Sequence, residues 1–100
     1  MNTIKINNKV VIIKPIDFDA ICTLEDLGFD VAKVGSRTLS SIRSAVAFNM
    51  GITLQEASAE IEQHIKNGGK FDEFAPLLEA ITQSDFFQNL ARNMENTENN

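Results

Sequence analysis

Two helix ends meet in the stretch Gly51-Ile52-Thr53-Leu54-Gln55-Glu56-Ala57. Thr53 and Glu56 have the spacing of a capping box, in which each side chain accepts a hydrogen bond from the other residue's backbone N–H. Ile52 and Ala57 stand where a hydrophobic staple would join the two sides of the cap. Gly51 suits the left-handed residue that closes a preceding helix. The stretch therefore predicts a helix, a tight turn and a second helix.

Length and charge limit the classes of protein to which this chain can belong. The chain has 100 residues, a formal net charge of −5 and one cysteine, Cys22. This length suits one domain with a modest core, and the negative charge argues against a phosphate-binding surface, which needs clustered Lys and Arg. One cysteine cannot form an internal disulfide or a cysteine-based zinc site. No apolar run approaches the roughly 20 residues of a membrane span, so we expect a soluble intracellular protein.

The N-terminal segment has the pattern of a β-hairpin. Residues 3–6 alternate between apolar and polar side chains, and residues 9–13 are rich in Val and Ile. Asn7 and Asn8 lie between them, and asparagine tolerates the positive φ of a two-residue hairpin turn. An isolated hairpin is barely stable in water, so its apolar face must pack on the rest of the domain. Pro15 is expected to end the second strand.

The rest of the chain predicts four to five helices. Asp17 is a candidate N-cap for the first helix and Ser84 for the last, while Pro76 must lie in a first turn or at a bend. We expect Val31 and Val34 to dock the connection after the first helix, and residues 94–100 to form a disordered polar tail after a single domain of residues 1–93. The positions expected to face the core recur at helical spacing: Phe18, Ile21, Leu24 and Leu27; Leu39, Ile42, Ala45, Val46 and Asn49; Leu54, Ala57, Ile61 and Ile65; Phe71, Phe74, Leu77, Leu78 and Ile81; and Phe86, Phe87 and Leu90. The fold class is thus mainly α with a short N-terminal β-hairpin (α+β).

Candidate chemistry is sparse, and the sequence predicts a protein that is not an enzyme. His64, the single histidine, lies at the edge of an apolar stripe, where a non-catalytic boundary role is favoured over pairing with Cys22 as nucleophile and base. The acidic residues between Asp17 and Asp30 lack the loop spacing of a calcium site. Gly68-Gly69-Lys70 lacks the remainder of a phosphate loop and is better explained as a helix stop. We expect no catalytic, cofactor or metal site.

The adjacent residues Phe86 and Phe87 allow two interpretations. Aromatic residues at helical spacing usually close a core. Neighbouring side chains on a helix point about 100° apart, however, so one of the two is available for an interface.

A helix-turn-helix DNA-binding domain is the alternative class. Ala47, Gly51 and Ala57 have the small-residue spacing of that motif. Glu60 stands where the motif prefers an apolar residue, and the would-be recognition helix carries three glutamates that repel phosphates. The compact basic group of Lys33, Arg37 and Arg43 is too small to offset them.

The whole chain resembles the small tail assembly chaperones of long-tailed bacteriophages. The resemblance is one of layout over roughly residues 1–93, carried by the opening hairpin Thr3–Ile13, the Phe18–Gly28 segment, the Ile42–Ala47 helix, the Gly51–Ala57 turn, and the Glu60–Ile65 segment that leads to Gly68-Gly69.

The resemblance implies a function in virus assembly. Proteins of this family bind the tape measure protein, keep it soluble and help to recruit tail tube subunits, in many phages through a form extended by a ribosomal frameshift. It also implies action in the host cell cytoplasm, absence from the mature virion and possible homo-oligomers. The negative net charge and the lack of a long apolar run separately predict no binding to nucleic acid or membrane. A holding chaperone needs apolar surface for amphipathic helices. The residues expected to bind the partner are Phe86, Phe87 and Leu90, followed by Phe48 and Met50.

Overall fold

The computed structural model describes residues 2–31 and 38–98 and confirms the predicted fold class. An antiparallel hairpin is followed by a helical body in which the helices surround a single hydrophobic core. In chain order the elements are strands β1 (Thr3–Ile6) and β2 (Lys9–Ile12), helices α1 (Phe18–Asp26), α2 (Thr38–Met50) and α3 (Leu54–Lys66), a short 3-10 helix (Phe71–Phe74), and helices α4 (Ala75–Thr82) and α5 (Asp85–Glu98).

The hairpin forms around the predicted asparagine turn. Asn7 and Asn8 both adopt positive φ, at 54° and 64°, as the primed hairpin turns require. Thr3 pairs with Ile12 and Ile6 with Lys9. Because side chains alternate between the two faces of a strand, one face carries the core residues Ile4, Ile6, Val11 and Ile13, and the other carries Thr3, Lys5, Val10 and Ile12.

The α2–α3 turn confirms the predicted cap. The Glu56 backbone N–H donates to Thr53 Oγ1 at 3.1 Å, and the Thr53 N–H donates to Glu56 Oε1 at 3.0 Å. Gly51 has a φ of +67°, and the N–H of the next residue, Ile52, donates to the Ala47 carbonyl oxygen at 3.1 Å. This is the Schellman arrangement, which satisfies a carbonyl that the end of α2 would otherwise leave unpaired.

The other predicted caps are also present. The Ala20 N–H donates to Asp17 Oδ1 at 2.8 Å at the start of α1, and the Phe87 N–H donates to Ser84 Oγ at 3.2 Å at the start of α5. Pro76 lies in the first turn of α4, where its missing N–H costs no helical hydrogen bond.

Helix α2 occupies the centre of the domain and contacts α1, α3, α4 and β2. Most of its buried side chains are small, and they are Ser41, Ile42, Ser44, Ala45, Val46, Ala47 and Asn49. Two of its buried polar side chains bond neighbouring segments: Ser44 Oγ donates to the Leu27 carbonyl oxygen at 2.9 Å, and the amide of Asn49 bonds both Ala45 O and the Lys14 N–H. Small side chains allow four elements to approach one helix closely.

Four residues predicted for the core are exposed instead: Phe18, Leu39, Ile65 and Phe71. Leu39 is the clearest case, with 69% of its surface accessible. All four lie in the first or last turn of a helix, where the apolar stripe continues beyond the neighbouring elements. Conversely, Phe29, which the sequence places in a connection, is buried directly after α1.

The C-terminal helix is longer than the sequence predicts. Helix α5 continues to Glu98, although the sequence predicts an irregular tail from residue 94; residues 94–98 contain no Gly or Pro to stop a helix. The domain boundary at residue 93 itself stays a prediction. Val31 packs on the core as expected, whereas Val34 falls outside the described residues. None of the helices described here is both long and apolar enough to cross a membrane.

Replacing Thr53 by alanine removes one half of the capping box. We expect Thr53→Ala to lower the free energy of unfolding by about 1 kcal/mol, the usual loss for an N-cap hydroxyl. Urea denaturation followed by circular dichroism measures the change. Gln55→Ala, at an exposed position in the first turn of the same helix, is the matched control and should change stability little. An equal loss in both variants would mean that the cap is not the source of the effect.

Candidate functional site

The five residues predicted to bind a partner do not form one surface. Phe87 lies in the core with 8% of its surface exposed, so it is unavailable to a partner in this structure. Phe86 and Leu90 are half-buried at the edge of the core on α5. Phe48 and Met50 are half-buried near the end of α2, beside the hairpin. The prediction therefore divides between two surfaces.

The first surface, called here the α1–α5 surface, consists of Phe18, Phe86, Leu90 and Met94. The Phe18 and Phe86 rings meet edge to face with their centroids 6.3 Å apart, a favoured aromatic geometry. Phe18 is 61% exposed and Met94 is 42% exposed. An apolar stripe thus begins on α1 and continues along α5. It extends beyond the part of α5 that packs on the core.

Acidic side chains border the start of this stripe. Asp17 and Asp19 flank Phe18, and Asp85 precedes Phe86; all three are exposed. Between Asp17 and Asp26 the chain has four acidic residues and no basic one. Helical spacing predicts that Phe18 faces the core, and nothing in that spacing indicates its membership of this surface. Its position in the first helical turn, directly after the N-cap, was the available signal.

The second surface, called here the hairpin groove, is a depression of about 470 Å³ between β2 and the end of α2. Val10, Ile12 and Met50 line its apolar part, and Lys9 and Lys14 border it. The Lys14 ammonium lies 5.2 Å from the centre of the Phe48 ring, within the range of a cation–π contact. Phe48 and Met50 therefore belong to a basic, apolar surface, in contrast to the acidic rim of the α1–α5 surface.

A polar junction, formed by Asn7, Lys9, Glu60, His64 and Glu73, attaches the hairpin turn to α3. Asn7 Nδ2 donates to the Glu60 carbonyl oxygen at 2.9 Å and to Glu60 Oε1 at 2.6 Å. Lys9 Nζ lies 2.6 Å from Glu60 Oε2. The remaining polar atom of the Asn7 side chain, Oδ1, is buried without a hydrogen-bond partner among the described residues.

His64 is held on both ring nitrogens. Nδ1 accepts from the Asn7 backbone N–H at 3.2 Å, and Nε2 lies 3.1 Å from Glu73 Oε1. An acceptor at Nδ1 requires the proton on Nε2, which then donates to the carboxylate. The ring also packs against Phe74, and a Cβ at Gly69 would overlap it. These contacts give His64 a structural role and leave neither nitrogen to activate the half-buried thiol of Cys22.

Hydrogen bonds lower the pKa values of three glutamates. The Lys9 ammonium and then the Asn7 amide lower the pKa of Glu60 below its ordinary value of 4.5. The pKa of Glu73 is lowered chiefly by the Lys70 backbone N–H, which donates at 2.6 Å, and next by His64. The pKa of Glu56 is lowered by the backbone N–H of Thr53 and then by its hydroxyl. In each case the bond favours the ionised carboxylate.

The junction bears on the alternative of DNA binding. Glu60, which occupies an apolar position of the helix-turn-helix motif, is used here to hold the hairpin. Glu56 and Glu62 are exposed on the same helix, and carboxylates there repel phosphates. Of the basic group expected to oppose them, Arg43 is exposed and Lys33 and Arg37 fall outside the described residues.

Across residues 2–31 and 38–98, no cluster of three His, Cys, Asp or Glu side chains is arranged to hold a metal ion.

The junction should contribute acid-sensitive stability. A depressed carboxyl pKa stabilises the fold above the ordinary value of 4.5 and loses that contribution as pH falls through the folded-state pKa. We expect wild-type protein to lose more stability between about pH 5 and about pH 3 than Glu60→Gln, as measured by urea denaturation across that range. Glu62→Gln, exposed on the same helix, is the control. Parallel pH profiles for wild type and Glu60→Gln would contradict the assignment.

Comparison with known proteins gives no match: no protein-family model matches the chain, and neither the curated proteins nor the solved structures contain a significant relative.

Proposed function

We propose that this chain is a non-enzymatic tail assembly chaperone that binds the tape measure protein of a long-tailed bacteriophage, keeps it soluble and helps to recruit tail tube subunits. The specific partner comes from the resemblance of sequence layout described above. What supports protein binding independently of that resemblance is the α1–α5 surface, and above all the exposed ring of Phe18 against Phe86.

The α1–α5 surface suits an amphipathic helix. Phe18 has 61% of its surface in water, and exposing so much of an aromatic side chain is unfavourable for an isolated domain. Phe18, Phe86 and Leu90 offer adjoining apolar area from two helices, and Met94 extends it with a side chain that adapts to varied partners. A partner helix could lay its apolar stripe along this surface, in the manner of helix-in-groove recognition.

The electrostatics also suit a holding function. The formal net charge of −5 favours solubility of the chain, and also of a complex in which the chain covers an apolar partner. The acidic rim beside Phe18 and Phe86 favours partner segments that carry Lys or Arg beside their apolar stripe. The proposal implies action in the host cell cytoplasm and absence from the mature virion. It also implies contact with the tail tube protein, which a frameshift-extended form of the chain would make.

The helix-turn-helix regulator is the less supported alternative. Its turn geometry is present at residues 51–57, but no described observation favours DNA over protein, since Glu60 is engaged by the hairpin and α3 exposes carboxylates.

Co-expression with the tape measure and tail tube proteins of the same genome tests the proposal. We expect wild-type chain to keep the tape measure protein soluble in a stoichiometric complex, measured by size-exclusion chromatography with light scattering. Phe18→Glu combined with Met94→Glu should abolish or severely reduce the complex, because each change puts a charge into exposed apolar surface.

Leu39→Glu is the matched control, since Leu39 is equally apolar and exposed but lies at the start of α2. Circular dichroism should show that all variants fold. If wild-type chain elutes alone while the tape measure protein precipitates, the proposed function is wrong. If the double variant still holds the tape measure protein as well as wild type does, the α1–α5 surface is not where it binds.

A further inference from the structure

The outer face of the hairpin is apolar where solvent would favour polar side chains. Val10 is 65% exposed and Ile12 is 51% exposed, and they point to the same side of β2. The core does not need them, because Ile4, Ile6 and Val11 on the opposite face pack against the helices. Met50 continues this apolar area across the hairpin groove to the end of α2.

Basic residues surround this apolar area. Lys5 pairs directly across from Val10 on the same face, and Lys14 borders the groove. From residue 2 to residue 16 the chain has three lysines and no acidic residue, although the whole protein has a formal net charge of −5. Lys9 is already paired with Glu60, so Lys5 and Lys14 supply the available charge.

We propose that the outer face of the hairpin and the hairpin groove together form a second docking surface, which binds an acidic amphipathic segment of a partner protein. Apolar side chains of that segment would cover Val10 and Ile12 and enter the groove beside Met50. Its carboxylates would pair with Lys5 and Lys14, and the Lys14 ammonium is already positioned over the Phe48 ring.

Charge separates this surface from the α1–α5 surface. An acidic segment is repelled by Asp17, Asp19 and Asp85 and is attracted by the lysines of the hairpin. No residue that lines the hairpin groove belongs to α1 or α5. The two surfaces thus differ in both residues and charge, and this inference stands or fails independently of the tape measure proposal.

The composition of the face favours a protein segment over nucleic acid. Two available lysines neutralise few phosphates, and Val10 and Ile12, at the centre, offer neither hydrogen bonds nor aromatic stacking to bases.

Methyl NMR of the full chain tests the proposal with synthetic peptides. The probe is an amphipathic helix-forming peptide with leucines along one face and glutamates elsewhere. A peptide of the same composition in scrambled order and a peptide with lysine in place of glutamate are the comparisons. We expect the acidic amphipathic peptide to shift the methyl signals of Val10, Ile12 and Met50 in a saturable manner, and the other two to leave these signals largely unchanged.

Two pairs of substitutions locate the binding. Val10→Thr with Ile12→Thr keeps β-branched side chains and should weaken binding about tenfold or more, a loss of about 1.4 kcal/mol per factor of ten. Lys5→Gln with Lys14→Gln should weaken it as much and remove most of its salt dependence, because the attracting charges are then gone. Phe18→Glu should leave it unchanged, which distinguishes this surface from the α1–α5 surface.

Several results would overturn the proposal. Equal binding of the scrambled peptide would show a merely electrostatic attraction. Shifts of the same methyl groups on raising the protein concentration alone would show that a second copy covers the face, and equal shifts with a single-stranded oligonucleotide would assign it to nucleic acid. Unchanged affinity in the Val10→Thr, Ile12→Thr variant would place the peptide elsewhere.

Discussion

The close packing of four elements around α2 is the constraint on which the rest of the structure depends. A helix that contacts α1, α3, α4 and β2 must be buried on most sides. Only small side chains let several neighbours approach to normal packing distance, which explains why Ser41, Ser44, Ala45 and Ala47 occupy its contacts. Any buried polar group there needs a partner. Ser44 bonds the Leu27 carbonyl oxygen just after α1, and Asn49 bonds the Lys14 N–H just after β2.

That arrangement leaves the two proposed binding surfaces at the periphery. The α1–α5 surface lies where an apolar stripe extends beyond the core, and the hairpin groove lies beside the exposed outer face of the two-stranded sheet. Each surface has exposed apolar side chains and a rim of one charge, acidic in the first case and basic in the second. Separation of charge within a small domain gives specificity for partners more than affinity.

Local signals in the sequence predicted the architecture well. The capping box, the asparagine turn and the glycine helix stops act over a few residues, so their outcome hardly depends on the rest of the chain. Burial was predicted less well, because periodicity identifies an apolar stripe but not how far a neighbour covers it. Leu39 and Phe18 were misplaced for that reason. The serines of α2 show the converse error, since a small polar residue carries no apolar signal even when it is buried.

The candidate sites depended on tertiary contacts that no local pattern reports. The sequence leaves open whether Phe86 and Phe87 close the core or one of them faces an interface, and the structure buries Phe87. The ring that completes the surface, Phe18, lies far away in the sequence. Likewise, nothing near His64 or Glu60 indicates that both bond the hairpin turn.

The polar junction has a consequence for the order of folding. Its bonds between the hairpin and α3 join residues separated by 51 to 57 positions in the sequence. The hairpin leaves the ribosome before α3 does, yet it is too small to be stable alone, and its attachment points on α3 are synthesised 51 to 57 residues later. Closing so long a loop is slow compared with forming helices. The hairpin should therefore dock late, and until then its apolar strands are the part of the nascent chain most exposed to unwanted pairing.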